Sequence, residues 1–571
     1  MFSTSTKVTV GILLPILLFA LRADSAFGQS DSLISRTLLI EDVRQLAGIL
    51  EDTHPDPYIR GGGKIAFQRR IWHALEAIPE EGMTRDEFYY VLSPIIASVK
   101  DAHTKIHDPY FSSGKYNPYA PGGLPLYFDI IEQSLYVMAV ADSSHKDLIG
   151  ARLVSVEGVP FKKLFERQRK VKGFENVYDV LSSLGKTGTL WLGHLLGDLV
   201  PEWNDRTKIR TQLALPDGTE KEFPIDVPQQ MNYAGFVYPE SIEFPQLEAA
   251  IQKRDFEYTF LDSNRVSALL FIADMMGYRE AFEIWQALGI TTHDEKARAV
   301  YKKFHGADSP ADINEVIAGI PSCSDVFRTL VEDMKKAGTK NLLIDLRYNS
   351  GGNSFMYNIL IYYLYGREAL LSLKGKSLEI RKFSDHYMEA YGPAGLDEAN
   401  QDRAIPLSGH DYDFGADNPH RGYPPRDSIV AGFEDFASKA PTFFAEYQSG
   451  EYDGYYLPEN VIVLCSPATF SSAFFMMHYL HEAGAKILGR PSAQAGNCFG
   501  DLINYQLKHS GLSGWVSHKY FELYPDEPET GEVLMPEYEM TYEKLASYNF
   551  DTNAEIMWAL EILGAKLGDS D

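Results

Sequence analysis

Cysteine is scarce in this chain of 571 residues. Only Cys323, Cys465 and Cys498 are present, and no CxxC pair occurs. This count indicates neither a zinc site nor a dense disulfide framework. Either one bridge, for example between Cys465 and Cys498, or buried free thiols would fit the sequence.

Positive charge is also in short supply. The chain carries 53 Lys and Arg against 79 Asp and Glu, a formal net charge of −26. A phosphate backbone or an anionic membrane would be repelled by most of such a surface, so nucleic acid is excluded as the expected partner. The remaining composition, with 45% hydrophobic and 23% charged residues, is that of an ordinary globular protein.

Long apolar runs are absent beyond the N-terminus. Lys7 precedes an apolar stretch at 8–21 of about 14 residues, and the small residues Ala26 and Gly28 follow. The stretch is shorter than the roughly 20 residues of a membrane-spanning helix, so we predict a signal peptide at 1–28, with an uncleaved anchor as the alternative. The expected mature chain is exported to the periplasm or the cell exterior and has no stable membrane insertion.

Composition and periodicity divide the rest of the chain into three predicted parts. Residues 29–115 show helical spacing, and residues 116–245 alternate short β-rich runs with turns. Within the second part, the stretch 150–164 resembles a piece of a PDZ-type domain, although a plain β-rich spacer fits as well. Residues 255–565 form the predicted core, interrupted by an insertion at about 380–458 that we expect to cover the sheet edge as a surface lid.

The predicted core alternates strands with helices. The runs KNLLIDLR and NVIVLCS suit strands buried on both faces, and each is followed or preceded by a stretch of helical character. Such alternation predicts parallel βαβ units and an α/β fold with one main sheet.

A glycine pair follows the first of these buried strands. Gly351 and Gly352 allow positive φ, so their N–H groups can form an anion-binding concavity that holds a phosphate or an oxyanion. A tight structural turn is the alternative. The sequence matches neither the Walker A loop nor the dinucleotide fingerprint.

Ser471 stands where the second buried strand gives way to a helix. A serine at a helix start can attack a carbonyl while the N–H of Ser472 receives the oxyanion. The alternative is that Ser471 or Thr469 only caps the helix.

His103 lies in a polar turn between Asp101 and Thr104. A neutral imidazole there can take a proton from a serine hydroxyl, with His107 as the competing candidate. A structural or solvated histidine is the alternative.

Three segments in this order resemble one known family. LLIDLRYNSGG, VIVLCSPATFSSAFF and KDAHTKI resemble motifs of the tail-specific, or C-terminal-processing, serine peptidases. The resemblance implies an α/β fold with a crotonase/ClpP-like protease core, a helical N-terminal domain and a small β-rich module similar to a degenerate PDZ domain.

The resemblance also implies roles for individual residues. The family's nucleophile falls on Ser471, with Ser472 one register along as the competitor. The oxyanion donors fall on Gly351 or Gly352 and on the N–H of Ser472. The family's lysine base is missing after Gly489-Arg490-Pro491.

The missing lysine points to a branch similar to the tricorn core protease, in which a histidine is the base and a late glutamate orients it. His103 matches the histidine, and Glu529 or Glu532 matches the glutamate, while Asp101 is a further candidate. A carboxylate in that place fixes the tautomer of the imidazole and stabilises the imidazolium.

The predicted activity is therefore hydrolysis of peptide or protein substrates through an acyl-enzyme on Ser471, without a metal or organic cofactor. The alternative is a catalytically inactive protein on the same fold that binds peptides or small apolar ligands.

Overall fold

The structure is a computed structural model, and it describes most of the chain. The described residues are 32–109, 122–185, 188–229, 235–373, 378–400, 403–414 and 426–565. The predicted signal peptide at 1–28 and the predicted boundary between 115 and 116 lie outside them. Within the described part, no helix is both long and apolar enough to cross a membrane.

The helices are α1 (Arg36–Thr53), α2 (Gly63–Ala77), α3 (Arg85–Val99), α4 (Phe161–Gln168), α5 (Val177–Leu184), α6 (Gly193–Leu199), α7 (Pro245–Ile251), α8 (Arg279–Ala287), α9 (Asp294–His305), α10 (Ile313–Gly319), α11 (Cys323–Ala337), α12 (Phe355–Leu373), α13 (Asp385–Tyr391), α14 (Ala394–Ala399), α15 (Arg426–Ala437), α16 (Pro441–Ser449), α17 (Ser472–Glu482), α18 (Pro528–Glu532), α19 (Tyr542–Ser547) and α20 (Ala554–Ile562). The strands are β1 (Lys105–Ile106), β2 (Leu126–Ile131), β3 (Ser134–Val140), β4 (Arg152–Val156), β5 (Val159–Pro160), β6 (Lys208–Ala214), β7 (Glu220–Asp226), β8 (Phe256–Phe260), β9 (Ser267–Ile272), β10 (Asn341–Asp345), β11 (Leu378–Lys382), β12 (Tyr412–Asp413), β13 (Asn460–Cys465), β14 (Lys486–Gly489), β15 (Asn497–Gln506), β16 (Ser513–Glu522) and β17 (Tyr538–Glu539).

The main sheet has the strand order β17-β14-β13-β10-β9-β8. The strands from β17 to β9 run parallel, and β8 is antiparallel at the edge. Parallel neighbours need long crossovers, and here helices such as α17, between β13 and β14, supply them. All the C-terminal ends of the parallel strands therefore lie along one edge of the sheet, where α/β folds place their sites.

Helices cover both faces of this sheet. Successive residues of β10 alternate between two apolar clusters: Leu342 and Ile344 pack with α8, α11, α12, α16 and α17, whereas Leu343 packs with α7 and α20. This alternation follows from the two-residue period of a strand. It explains why the sequence of β10 reads as a continuous apolar run.

Two further sheets surround the core. The sheet β2-β3-β4-β6-β7, with β5 beside β4, packs against α4 to α6 and forms its own apolar cluster. The sheet β1-β16-β11-β12 also contains β15, which pairs with β16. Helices α1 to α3 share one apolar cluster with this β15–β16 hairpin, so the N-terminal helices do not have a core separate from the rest of the chain.

The predicted α/β fold class is confirmed, and several predicted elements coincide with observed ones, including β10, β13 and α17. The segment predicted as a surface lid differs in part. Phe443 and Tyr447 of α16 are buried in the main core, against the aromatic side chains of α12. The sequence of α16 shows little apolar periodicity, so it gave no sign of a buried helix. The three cysteines are free and buried.

Candidate active site

Two strand-to-helix junctions meet at the C-terminal edge of the main sheet. The first joins β10 to α12 through Gly351 and Gly352, and the second joins β13 to α17 through Ser471. The N–H of Phe470 donates to the carbonyl of Asn349 at 3.0 Å, which ties the two junctions together. A Cβ on Gly351 would lie 2.7 Å from the Cβ of Ser471, so only glycine allows this approach.

A buried charge network fixes the first junction. Arg347 forms two hydrogen bonds with Asp345, at 2.9 and 2.7 Å, and a third with Glu555 of α20 at 2.8 Å. Arg490, which follows β14, pairs with the same Glu555 and with Asp129 of β2. Because each of these buried charges has partners of opposite sign, the network clamps the loop ends of β10 and β14 against the β-rich module.

Asn349 is the asparagine of the segment LLIDLRYNSGG, and its side chain supports the glycine turn. Its Oδ1 accepts the N–H of Gly351 at 2.8 Å, and its Nδ2 donates to the carbonyl of Ile272 at 3.0 Å. The side chain is fully buried. It therefore sets the shape of the glycine turn from inside.

Ser471 does not cap its helix. Its φ of 53° and ψ of −128° differ from the extended conformation of an ordinary N-cap, and its side chain makes no capping hydrogen bond. A non-glycine residue there stores backbone strain, of about 1–3 kcal/mol. The buried amide of Gln494 accepts the N–H of Ser471 and helps to hold this conformation.

Ser472, the competing nucleophile, is differently placed. Its hydroxyl donates to the carbonyl of Gly352 at 2.7 Å and lies 2.8 Å from the hydroxyl of Ser354. Ser472 is buried, whereas Ser471 is partly exposed and its hydroxyl has no recorded hydrogen bond in the described part of the chain. The local structure thus favours Ser471 as the reactive serine.

The predicted oxyanion donors fall into two groups. The N–H of Gly351 is already engaged by Asn349. The N–H of Ser472 lies in the first turn of α17, 2.8 Å from where a Cβ on Gly351 would sit, and neither it nor the N–H of Gly352 has a recorded acceptor among the described residues. Unpaired N–H groups at a helix start suit a developing negative charge.

His103 lies beside the serine junction. Its ring packs on the ring of Phe470, the residue before Ser471, with centroids 5.1 Å apart. The side chain is 13% exposed, and no hydrogen bond joins it to the hydroxyl of Ser471 within the described residues. Its Nδ1 faces carboxylates, which leaves Nε2 for a serine or substrate proton.

Glu175 is the carboxylate nearest to His103. Its Oε1 lies 3.5 Å from Nδ1 of the histidine and accepts the N–H of Ala102 at 3.3 Å. The side chain is completely buried, and Arg60 lies 3.4 Å from its other oxygen. Asn176, the N-cap of α5, holds the adjoining backbone in place.

Asp101 is engaged elsewhere. It accepts the backbone N–H of His103 at 2.8 Å and the hydroxyls of Thr104 and Ser517, and His54 lies 3.3 Å away. Its own distance to Nδ1 of His103 is 3.9 Å. Asp101 thus shapes the turn that carries the histidine.

Burial and charge shift the pKa values of these groups. Burial by itself would lower the pKa of His103, but the contact with Glu175 and the charges of Glu175 and Asp101 raise it overall. Burial raises the pKa of Glu175. Burial opposes ionisation of Asp101 too, yet His54, His103 and Thr104 hold the pKa of Asp101 well below its usual range.

The other predicted carboxylates and the competing histidine have different surroundings. Glu529 and Glu532 belong to the short helix α18, both are exposed, and neither has a recorded contact with His103 in the described part of the chain. Their proposed role therefore stays a prediction. His107 contacts Ser513 and packs on Trp515 rather than on the serine junction.

Asp101, His103 and Glu175 also present ligand atoms within 4.8 Å of one another, as do Asp52, Asp385 and His410 at the surface. Asp101 already accepts hydrogen bonds from several donors, and no metal is assigned to either group.

Sequence reasoning missed Glu175, Gln494 and Asn349. Glu175 lies in the connection between α4 and α5 of the β-rich module, far from every motif. The only available signal was the Asn176 N-cap, which marks the start of a helix but gives no hint that the preceding carboxylate reaches His103.

Part of the chain matches the sequence model of a known protein family. The family model for peptidase family S41 matches residues 313–503. None of the curated proteins compared with this chain matches it.

Solved structures resemble the chain more loosely. Mature CPAF aligns with a TM-score of 0.46 and 14% identity, over 93% of this chain and 99% of that one. The photosystem II D1 C-terminal processing protease gives 0.39 and 12%, over 93% and 98%. The tricorn protease gives 0.32 and 12%, over 92% of this chain and 36% of that one.

Proposed function

We propose that this protein hydrolyses peptide bonds through an acyl-enzyme on Ser471, since residues 313–503 match the model of peptidase family S41. The observation that carries the proposal is the strained, partly exposed Ser471 at the start of α17, next to a histidine-bearing turn. Strained residues cluster at active sites, where the surrounding structure holds them in place.

In the acylation step, Oγ of Ser471 attacks the carbonyl carbon of the substrate, and Nε2 of His103 takes the hydroxyl proton. The negative charge that develops on the carbonyl oxygen is received by the N–H groups of Ser472 and Gly352. Collapse of this intermediate breaks the C–N bond, and His103 returns the proton to the leaving amine.

In the deacylation step, water attacks the ester on Ser471, and His103 takes a proton from the water. The acid product leaves when the proton returns to Oγ of Ser471. The serine and the histidine are thereby restored, and no metal or organic cofactor takes part in these steps.

Glu175 is the residue that we propose to orient His103. Its distance of 3.5 Å from Nδ1 supports a proton on that nitrogen, so Nε2 is the acceptor in the free enzyme. The positive charge that His103 gains during catalysis is stabilised by the same buried carboxylate. The serine–histidine bond itself is expected to tighten on substrate binding, as it often does in such enzymes.

Export to the periplasm or the cell exterior is also part of the proposal. It is supported by the N-terminal pattern of Lys7, the apolar stretch and the small residues Ala26 and Gly28. The net charge of −26 disfavours nucleic acid as a partner and leaves peptide or protein substrates as the proposed class.

The test is to incubate the full chain with an unstructured protein such as casein and to identify the products by mass spectrometry. We expect new peptides with the native chain and none with Ser471→Ala. The termini of the products distinguish internal cleavage from processing at the C-terminus. Saturable binding of casein peptides by the native chain, without any cleavage, would support the inactive binding protein instead.

A further inference from the structure

A large cavity opens away from Ser471. It has a volume of about 1100 Å³ and lies between helices α2 and α3 and the segment that joins α4 to α5. A second cavity of about 650 Å³ shares Arg60, Lys100, Arg169 and Phe174 with it. Neither Ser471 nor His103 lines either cavity.

Cations gather at this cavity. Arg60, Arg70, Lys100, Arg169 and Lys170 all line the larger one, together with His73. Burial lowers the pKa of Lys100, and the charges of Arg169, Arg60 and Arg70 lower it further, while the charge of Glu532 opposes them. Such a group is unusual in a chain with a net charge of −26.

The cationic side chains of the cavity differ in how closely they are paired with carboxylates. Arg60 faces Glu175, and Arg169 lies 3.2 Å from Glu166. In contrast, Nη1 of Arg70 is buried without a hydrogen-bond partner, and no side-chain hydrogen bond or ion pair is recorded for Lys100 among the described residues. Unpaired charges of one sign in a partly buried site are unfavourable unless an anion joins them.

The acidic residues around the cavity are distributed unevenly. Glu175, Glu522 and Glu532 line the smaller cavity. Glu166, which already pairs with Arg169, is the one carboxylate that lines the larger cavity among the described residues. An anion is therefore best accommodated in the larger cavity.

We infer that the larger cavity is a binding site for a phosphate or carboxylate group, held by Arg70 and Lys100 and flanked by Arg60 and Arg169. Arg70 supplies a planar donor fork for two oxygens of the anion, and Lys100 supplies a compact charge. Apolar residues such as Ala74, Pro94 and Ile95 line the same cavity, so the ligand carries its charge on a larger, partly apolar body. This site does not depend on the proposed peptidase activity.

Titration calorimetry tests the site directly. Pyrophosphate and, in separate runs, citrate are titrated into the full chain at constant ionic strength. We expect saturable binding at one site per chain for at least one of the two anions. Arg70→Gln should weaken this binding about tenfold to a hundredfold, the usual effect of losing a charge-assisted hydrogen bond.

Arg69→Gln is the matched control. Arg69 is the exposed neighbour of Arg70 and does not line the cavity, so its replacement should leave the affinity unchanged. Lys100→Gln provides a second test if Arg70→Gln unfolds. Ser471→Ala should bind the anion as the native chain does. Anion binding is thereby tested independently of the proposed peptidase activity.

Preference for pyrophosphate would identify a phosphate-bearing ligand, and preference for citrate a carboxylate-bearing one. The inference is overturned if neither anion binds saturably. It is also overturned if Arg69→Gln weakens binding as much as Arg70→Gln, because the effect would then be a general one of surface charge.

Discussion

The two junctions at the edge of the main sheet are built in opposite ways. Both follow neighbouring parallel strands, β10 and β13, and both contain left-handed backbone. At the first, φ is 100° for Gly351 and 141° for Gly352, which glycine adopts without penalty. At the second, φ is 53° for Ser471, a residue with a side chain.

The difference indicates that Gly351 is required for close packing, whereas Ser471 is required for its hydroxyl group. At Gly351 a side chain is excluded by the close approach of Ser471 and Phe470. At Ser471 a glycine would relieve the strain, yet the position carries a hydroxyl. The strain is best explained if that hydroxyl is required at the mouth of the site.

The first prediction concerns the hydroxyl of Ser471. Ser471→Ala and Ser471→Gly should each lower kcat by about 10⁶, the size of the loss when a serine nucleophile is deleted. Ser471→Gly should also raise the free energy of unfolding by about 1 kcal/mol, because relief of the strain exceeds the entropic cost of glycine. Peptide hydrolysis and denaturant unfolding measure the two effects.

Ser472→Ala is the control for that prediction. It removes hydrogen bonds to Gly352 and Ser354 but leaves the Ser472 N–H in place. Activity should fall far less than in Ser471→Ala. An equal loss in both variants would contradict the assignment of the nucleophile.

The second prediction concerns the histidine that packs on the serine junction. His103→Ala should lower kcat/KM by about a thousandfold, within the range for a lost general base. His107→Ala, four positions along the chain, should retain most of the activity because His107 packs on Trp515. Activity that depends on His107 instead would contradict the role of His103.

The third prediction concerns Glu175 and pH. Activity should rise with pH as His103 loses its proton, with a midpoint above the ordinary value of about 6.5, because Glu175 and Asp101 raise the pKa of His103. Glu175→Gln removes one of these charges, so the midpoint should move to lower pH. We also expect kcat/KM at its plateau to fall about tenfold to a hundredfold, less than the roughly 10⁴ seen for a tightly hydrogen-bonded carboxylate.

Asp101→Asn should affect stability more than Glu175→Gln does. Asp101 is a buried acceptor for several donors, so its replacement should destabilise the fold by about 3 kcal/mol. Glu529→Gln and Glu532→Gln test the positions that sequence resemblance suggested. A pH midpoint that moves in Glu529→Gln or Glu532→Gln but not in Glu175→Gln would contradict the role of Glu175.

The same pKa shift affects stability. Since the folded-state pKa of His103 is raised, its contribution to stability is complete below the unfolded-state value of about 6.5 and is lost as pH rises through the folded-state value. The free energy of unfolding of His103→Ala should therefore approach that of the native chain as pH increases over this window. Urea unfolding at a series of pH values measures the trend.

The last prediction concerns the glycine junction. Gly351→Ala should lower the free energy of unfolding by about 3 kcal/mol, since the new Cβ combines positive φ with contacts of 2.7 to 2.8 Å. Gly338, the residue after α11, has a φ of 69° and open space around it. Gly338→Ala should therefore lose only about 1 kcal/mol, from the backbone conformation alone. Equal losses would show that close approach plays no part at Gly351.

Sequence patterns predicted much of the core but less of the site. The apolar runs of β10 and β13 and the periodicity of α17 are local signals, and the structure has these elements at the predicted places. The strain at Ser471 depends on how Gln494 and the glycine turn pack, which no local pattern reveals.

The hairpin β15–β16 and the carboxylate of Glu175 were harder to anticipate. The hairpin shares its core with α1 to α3, hundreds of residues earlier in the chain. Glu175 reaches His103 because two separate parts of the chain pack together, and resemblance to a family directed attention to Glu529 and Glu532 instead. Contacts of this kind follow from tertiary packing, which sequence spacing does not encode.

The most direct measurement is covalent labelling with a fluorophosphonate probe, followed by peptide mapping of the modified residue. If Ser471 is a nucleophile activated by His103, the probe labels Ser471, the label is lost in His103→Ala, and Ser472 stays unmodified. No labelling of the folded native chain, or labelling of Ser472 in place of Ser471, would contradict the account.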